Sequence, residues 1–73
     1  MKILNSLTPG EVGTIQGIEA EQALYQRLNA LGFRIGKKIE LIRRASFNGP
    51  LHVRIGTTDI ILRSIEAQRI QLN

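Results

Sequence analysis

Between Leu28 and Gly36 the chain reads LNALGFRIG, and few local structures accommodate such a run. Leu24, Leu28 and Leu31 stand at i, i+4 and i+7, which places them on one face of a helix reaching back to about Ala20. Gly32 ends that helix. As the C′ residue of a Schellman-type ending it takes a left-handed backbone, which costs a residue bearing a Cβ roughly 1–2 kcal/mol. Phe33 then becomes C″ and is expected to pack back on Leu28. Gly36 supplies a second permissive backbone position, after which Lys37 to Ala45 opens a strand.

A chain of 73 residues holds one domain, residues 1–73, and at that length about 60% of the unfolded surface can be buried. Its hydrophobic content of 42% and charged content of 22% are those of a globular protein, not a disordered one. There is no cysteine, so disulfides, thiolate zinc sites and cysteine nucleophiles are excluded, and a reducing, cytoplasmic setting is expected. The opening MKILNSLTPGEVG has too short an apolar patch for the h-region of a signal peptide. No run approaches the roughly 18 apolar residues of a membrane span, so no direct membrane insertion is expected. A net charge of +4 favours acidic partners. The dense basic clusters are Arg34 with Lys37 and Lys38, and Arg43 with Arg44.

Taken in order, Ile3 to Leu7 forms an apolar edge, and Thr8-Pro9-Gly10 reads as a turn with Pro at its first central position and Gly at its second. Val12 to Ile18 is a strand whose Gly13 and Gly17 suggest bends or bulges. Glu19 to Leu31 is the helix, with Gln22, Gln26 and Asn29 on its polar face and Tyr25 and Arg27 on the flanks. In the strand after Gly36, Ile39, Leu41 and Arg43 alternate with Glu40, Ile42 and Arg44. Ser46 to Pro50 is a loop; Pro50 biases Gly49 towards extended geometry, which weakens Asn48-Gly49 as a type I′ hairpin turn. Leu51, Val53 and Ile55 alternate with His52 and Arg54, and Gly56-Thr57-Thr58 leads tightly into Asp59 to Arg63. Ser64 is placed to cap one helical turn through Ala67, and Gln68 to Leu72 is a last strand. The expected fold is mainly β: a small, strongly bent barrel of about five strands with one inserted α-helix over about residues 19–31.

No residue pattern points to catalysis or to a cofactor. His52 is the only histidine, expected at the surface beside Arg54, and without a His or Cys partner it makes no metal site. Glu40, Asp59 and Glu66 are oxygen donors without the loop spacing of a cation site. The serines and threonines lack a recognisable base. Neither GxGxxG nor GxxxxGK[ST] occurs. The basic clusters together with Tyr25, Phe33 and Phe47 leave one binding alternative, a free-standing nucleic-acid-binding barrel that contacts phosphates and stacks bases.

Several of these residues recur in a known pattern. Leu28, Leu31, Gly32, Phe33 and Gly36, then Pro50 and Gly56, then Leu62, Arg63, Glu66, Ala67 and Ile70 follow one another as in the FeoA family, which the chain resembles; members are small cytoplasmic components of bacterial ferrous-iron uptake. The likeness is strong over about two thirds of the chain and looser towards Pro9-Gly10. One departure lies in the central loop, where members often carry Ala-Pro-hydrophobe-Gly-Asp-Pro and this chain has Ala45-Ser46-Phe47-Asn48-Gly49-Pro50. The resemblance implies an SH3-like barrel that regulates or assembles FeoB, the membrane iron transporter, with self-association a further option and no nucleic acid expected. It also associates transition-metal binding with the domain, for which this sequence offers no ligand cluster. The residues expected to meet the partner are Tyr25, Arg34, Lys37, Arg43 and Phe47, as loop or flank aromatics beside cations.

Overall fold

In the computed structural model, which describes residues 2–73, the Leu28–Gly36 stretch turns as its glycine demands. The helix α1 spans Gln22–Ala30, and Leu31 caps it. Gly32 follows at φ +104°. The Phe33 N–H bonds the Leu28 carbonyl at 3.0 Å and the Gly32 N–H bonds the Asn29 carbonyl at 3.1 Å, the two bonds of a Schellman ending. Leu28 and Phe33 are both fully buried in one core.

The helix starts later than residue 19. The Glu19 N–H bonds the Arg69 carbonyl at 2.9 Å, so that residue extends the neighbouring strand pairing, and Glu21 caps the helix in an extended conformation without a side-chain bond. Leu31 corrects the expected core face: it is 41% exposed, whereas Leu28 is fully buried and Leu24 packs at the core's margin. At the cap, the chain is already leaving the helical path.

Among the described residues six strands form, against the about five expected, in the order β1 (Lys2–Ile3), β6 (Ile70–Leu72), β2 (Val12–Ile18), β3 (Lys38–Arg44), β4 (Leu51–Ile55) and β5 (Thr58–Leu62). The added strand is the two-residue β1, too short to carry a hydrophobic period. All pairings are antiparallel. A 3-10 turn, Leu4–Ser6, buries Leu4 completely, and Leu7 beyond it is buried as well.

The strand β2 belongs to both halves of this bent sheet, pairing with β3 through Val12, Gly13 and Thr14 and with β6 through Ile15, Gly17 and Ile18. Its pairing with β6 is broken by a register shift between Ile15 and Gly17, the irregularity expected near the second glycine. Gly13 is a point of close approach: a Cβ there would lie 2.9 Å from the Leu72 Cδ1. Leu72 fills the space, almost wholly buried.

A second register shift, between Leu41 and Arg43, interrupts the expected alternation of β3. Arg43 consequently points to solvent and Arg44 turns inward, where its Nη2 donates to the carbonyls of Asn5 and Leu7. The two arginines do not form one basic cluster. The last helical turn, α2 (Ser64–Ala67), is also capped differently than expected, for Arg63 occupies the N-cap and the Glu66 carboxylate accepts the Arg63 N–H at 2.9 Å. Ser64 Oγ instead reaches Asn5 Oδ1 at 3.4 Å. Glu66 also accepts from Arg27 of α1, joining the two helices through one carboxylate that is nearly buried.

The two glycines therefore fail differently when replaced. No atom lies within 4 Å of a Cβ built at Gly32, so Gly32→Ala should cost about 1 kcal/mol from backbone conformation alone, and Gly13→Ala about 1–3 kcal/mol from overpacking. In urea unfolding, Leu72→Ala should recover part of the Gly13→Ala loss and none of the Gly32→Ala loss. Strict additivity of both pairs would contradict the close approach of β2 and β6.

Candidate functional site

The hairpin joining β3 to β4 closes with the Ala45 N–H on the Pro50 carbonyl at 3.0 Å and the Gly49 N–H on the Ser46 carbonyl at 3.2 Å. Its two central residues, Phe47 and Asn48, have φ values of +60° and +57°, as a type I′ turn requires. The left-handed pair thus sits one residue earlier than Asn48-Gly49, since Pro50 holds Gly49 out of it. Asn tolerates this conformation; Phe does so at a cost of roughly 1–2 kcal/mol. The Phe47 side chain offsets none of this by packing, because it is fully exposed.

Behind the tip, the strand register sets Arg43 beside His52 and His52 beside Ile61 across the outer face of β3, β4 and β5. These three, with Ala45 and Pro50, line a shallow depression of about 200 Å³. Ile61 is 64% exposed, which makes the row apolar at one end and cationic at the other. One rung away, Glu40, Arg54 and Asp59 lie side by side. Asp59 accepts from Arg54 Nε at 2.6 Å, from Arg54 Nη2 at 3.1 Å, and contacts His52 Nε2 at 2.9 Å.

Those bonds, the Arg54 one foremost, hold the Asp59 carboxyl down at about 2, too low for a general base near neutrality. Both of its oxygens are occupied by donors. Among the described residues no group of three or more His, Cys, Asp or Glu comes together. The face presents an ion-paired network beside an exposed aromatic, which suits recognition of a surface.

The residues expected to meet a partner divide. Arg43 and Phe47 share the hairpin end, so Arg43 is not near the end of α1. Arg34 and Lys37 lie before β3, whose seven residues carry the chain about 20 Å at roughly 3.3 Å each. Tyr25, 40% exposed, stands on α1. Phe33 is in the core and cannot stack on a ligand, and Phe47 lies at the other end of β3 from the Arg34, Lys37 and Lys38 group. Leu28, Phe33, Leu62 and Ala67 of the recurring pattern are core residues, and Glu66 is buried. Gly32 and Gly36 adopt positive φ, while Pro50 and Arg63 are exposed. Ile61 was not anticipated as a surface contact, although the alternation of Ile60, Ile61 and Leu62 already turned it outward.

The comparisons with known proteins agree with this architecture. A family model described as the FeoA domain matches residues 2–73. A Campylobacter jejuni protein described as an Fe(2+) transport protein A is 34% identical over 70 residues, covering 96% of this chain and 95% of that protein. The crystal structure of Stenotrophomonas maltophilia FeoA complexed with zinc, described as an SH3 domain protein, is 26% identical with a TM-score of 0.87, covering 100% of this chain and 91% of the other. The solution structure of iron(II) transport protein A from Clostridium thermocellum is 32% identical with a TM-score of 0.92, covering 97% of this chain and 44% of the other. The fold is the expected SH3-like barrel.

The Asp59 network makes a pH-dependent contribution of known sign. The folded carboxyl, at about 2, lies below its ordinary value of 3.8, so the stabilisation is complete above that ordinary value and is lost as pH falls towards 2. The stability difference between the wild-type chain and Asp59→Asn should therefore shrink through that window in urea unfolding. A difference constant across it would show that the Arg54 and His52 contacts do not persist in solution.

Proposed function

The chain belongs to the FeoA family, which is associated with ferrous iron transport, and from that premise we propose that it is a non-catalytic accessory module that docks on the cytoplasmic part of the transporter FeoB through its β3–β4 hairpin. The observation that carries this reading is Phe47. An aromatic side chain in full contact with water, held on a left-handed backbone, reduces the stability of the free domain. Such a cost at a loop tip fits an anchor whose benefit comes on binding, and large aromatics beside arginine are the residue types that dominate interface energetics.

The surroundings support the same surface. Arg43 supplies a rim charge beside the anchor and Ile61 extends the apolar area. His52, held by Asp59, is fixed between them. Regulation or assembly of the transporter then rests on presentation of a preformed shape, since the hairpin is already closed by its own hydrogen bonds. Among the described residues no helix is long and apolar enough to cross a membrane, and the proposed attachment is to the transporter itself.

Phe47→Gly separates anchoring from packing. Removing the left-handed strain should raise the domain's stability by about 0.5–1 kcal/mol, net of the added unfolded-state freedom, while titration against the cytoplasmic part of FeoB should show affinity reduced at least roughly tenfold. Higher stability with unchanged binding would place the transporter contact elsewhere. Lower stability would make Phe47 a packing residue.

A further inference from the structure

At the other end of β3, a second exposed surface has a different chemistry. The Lys37 N–H bonds the Arg34 carbonyl at 3.1 Å, closing a four-residue turn with Ile35 at its first corner and Gly36, at φ +92°, at its second. This is a type II arrangement. The loop is pinned to β2 on both sides, by the Gly36 N–H on the Ile15 carbonyl at 2.8 Å and the Ile15 N–H on the Lys37 carbonyl at 2.9 Å. Ile35 is consequently held 69% exposed between two cations, with Leu31 exposed just before it.

The charge here is not compensated. Among the described residues the ion pairs involve Lys2, Arg27, His52 and Arg54, whereas Arg34 bonds only the neutral Asn29 Oδ1 at 3.1 Å. No carboxylate occurs from Leu31 to Lys38. Between this loop and the β4–β5 turn runs a groove of about 520 Å³, lined by Arg34, Lys37 and Lys38 on one side and by Thr57 and Thr58 on the other. Cations and hydroxyls in one groove offer donors to a phosphate, and aliphatic side chains beside them offer contact to hydrocarbon.

We propose that the Leu31–Lys38 loop is a peripheral contact site for an anionic phospholipid surface. Exposed aliphatic groups among lysine and arginine are the combination that binds the headgroup boundary, where apolar contact and attraction to anionic lipid add. Nucleic acid is disfavoured because single-strand recognition calls for aromatic platforms, and the loop's one aromatic, Phe33, is buried. The contact lies on the surface of the bilayer and needs no spanning segment. It does not depend on the transporter reading, because lipid alone is the partner.

Sedimentation with vesicles tests this directly. At physiological ionic strength the full chain should bind vesicles of phosphatidylcholine and phosphatidylglycerol in equal parts and not vesicles of phosphatidylcholine alone. Replacing both Lys37→Gln and Lys38→Gln should weaken partition at least roughly tenfold. Ile35→Ser, which leaves the charge unchanged, should weaken it several-fold, with unaltered melting showing that each variant is folded. Absence of binding to the anionic vesicles, or equal binding by the lysine variant, overturns the proposal. Full binding by Ile35→Ser also overturns it, since any acidic surface would then suffice, and so does tighter binding to a single-stranded oligonucleotide than to the vesicles.

Discussion

One strand holds the two halves of this sheet together, and it can do so because a glycine stands where Leu72 must pass. β2 pairs with β3 on one side and β6 on the other, and at Gly13 the missing Cβ leaves room for the Leu72 side chain of β6. With the Leu72 side chain within 3 Å of the missing Cβ, no larger residue fits without displacing the core. Ile15, Ile70 and Leu72 meet there, and the same closure positions α2, whose Glu66 reaches back to Arg27 on α1. The helices are attached to a barrel whose shape is already set by this contact.

That closure also determines where the chain's functional groups emerge. β3 runs from the Arg34–Lys38 turn to the Phe47 hairpin, so the exposed aromatic and the uncompensated cations face opposite ends of the molecule. An aromatic tip and a cationic aliphatic loop suit two different kinds of surface, a folded protein and a charged boundary. The barrel between them acts as a spacer of fixed length.

Much of the fold was legible in the sequence because local and global requirements agree there. Gly32 and Phe33 ended the helix as read, Pro9-Gly10 formed its turn, and Leu51, Val53 and Ile55 went inward by simple alternation. Reading stopped where a register shift intervened: the bulge at Ile42 exchanged the environments of Arg43 and Arg44, and no periodicity announces a single extra residue. The helix start was misplaced because Glu19 and Ala20 have helical composition while Glu19 bonds to Arg69, a partner distant in sequence. The hairpin tip was hidden for a related reason. Asn48-Gly49 carries the usual turn signal, yet Pro50 moves the left-handed pair onto Phe47-Asn48, where the position of a customary family glycine is taken by the residue that tolerates it next best.

The grouping of site residues was the least legible part, since it depends on which end of a strand each loop occupies. Chain order places Arg34, Lys37, Arg43 and Phe47 within one short span, and the extended backbone separates them. Amide chemical-shift mapping of the labelled chain during titration with the cytoplasmic part of FeoB tests the assignment most directly. Docking through the hairpin predicts perturbations concentrated at residues 43–52 and at Ile61, with residues 31–38 unchanged. Perturbations centred on residues 31–38 or on α1 would contradict it.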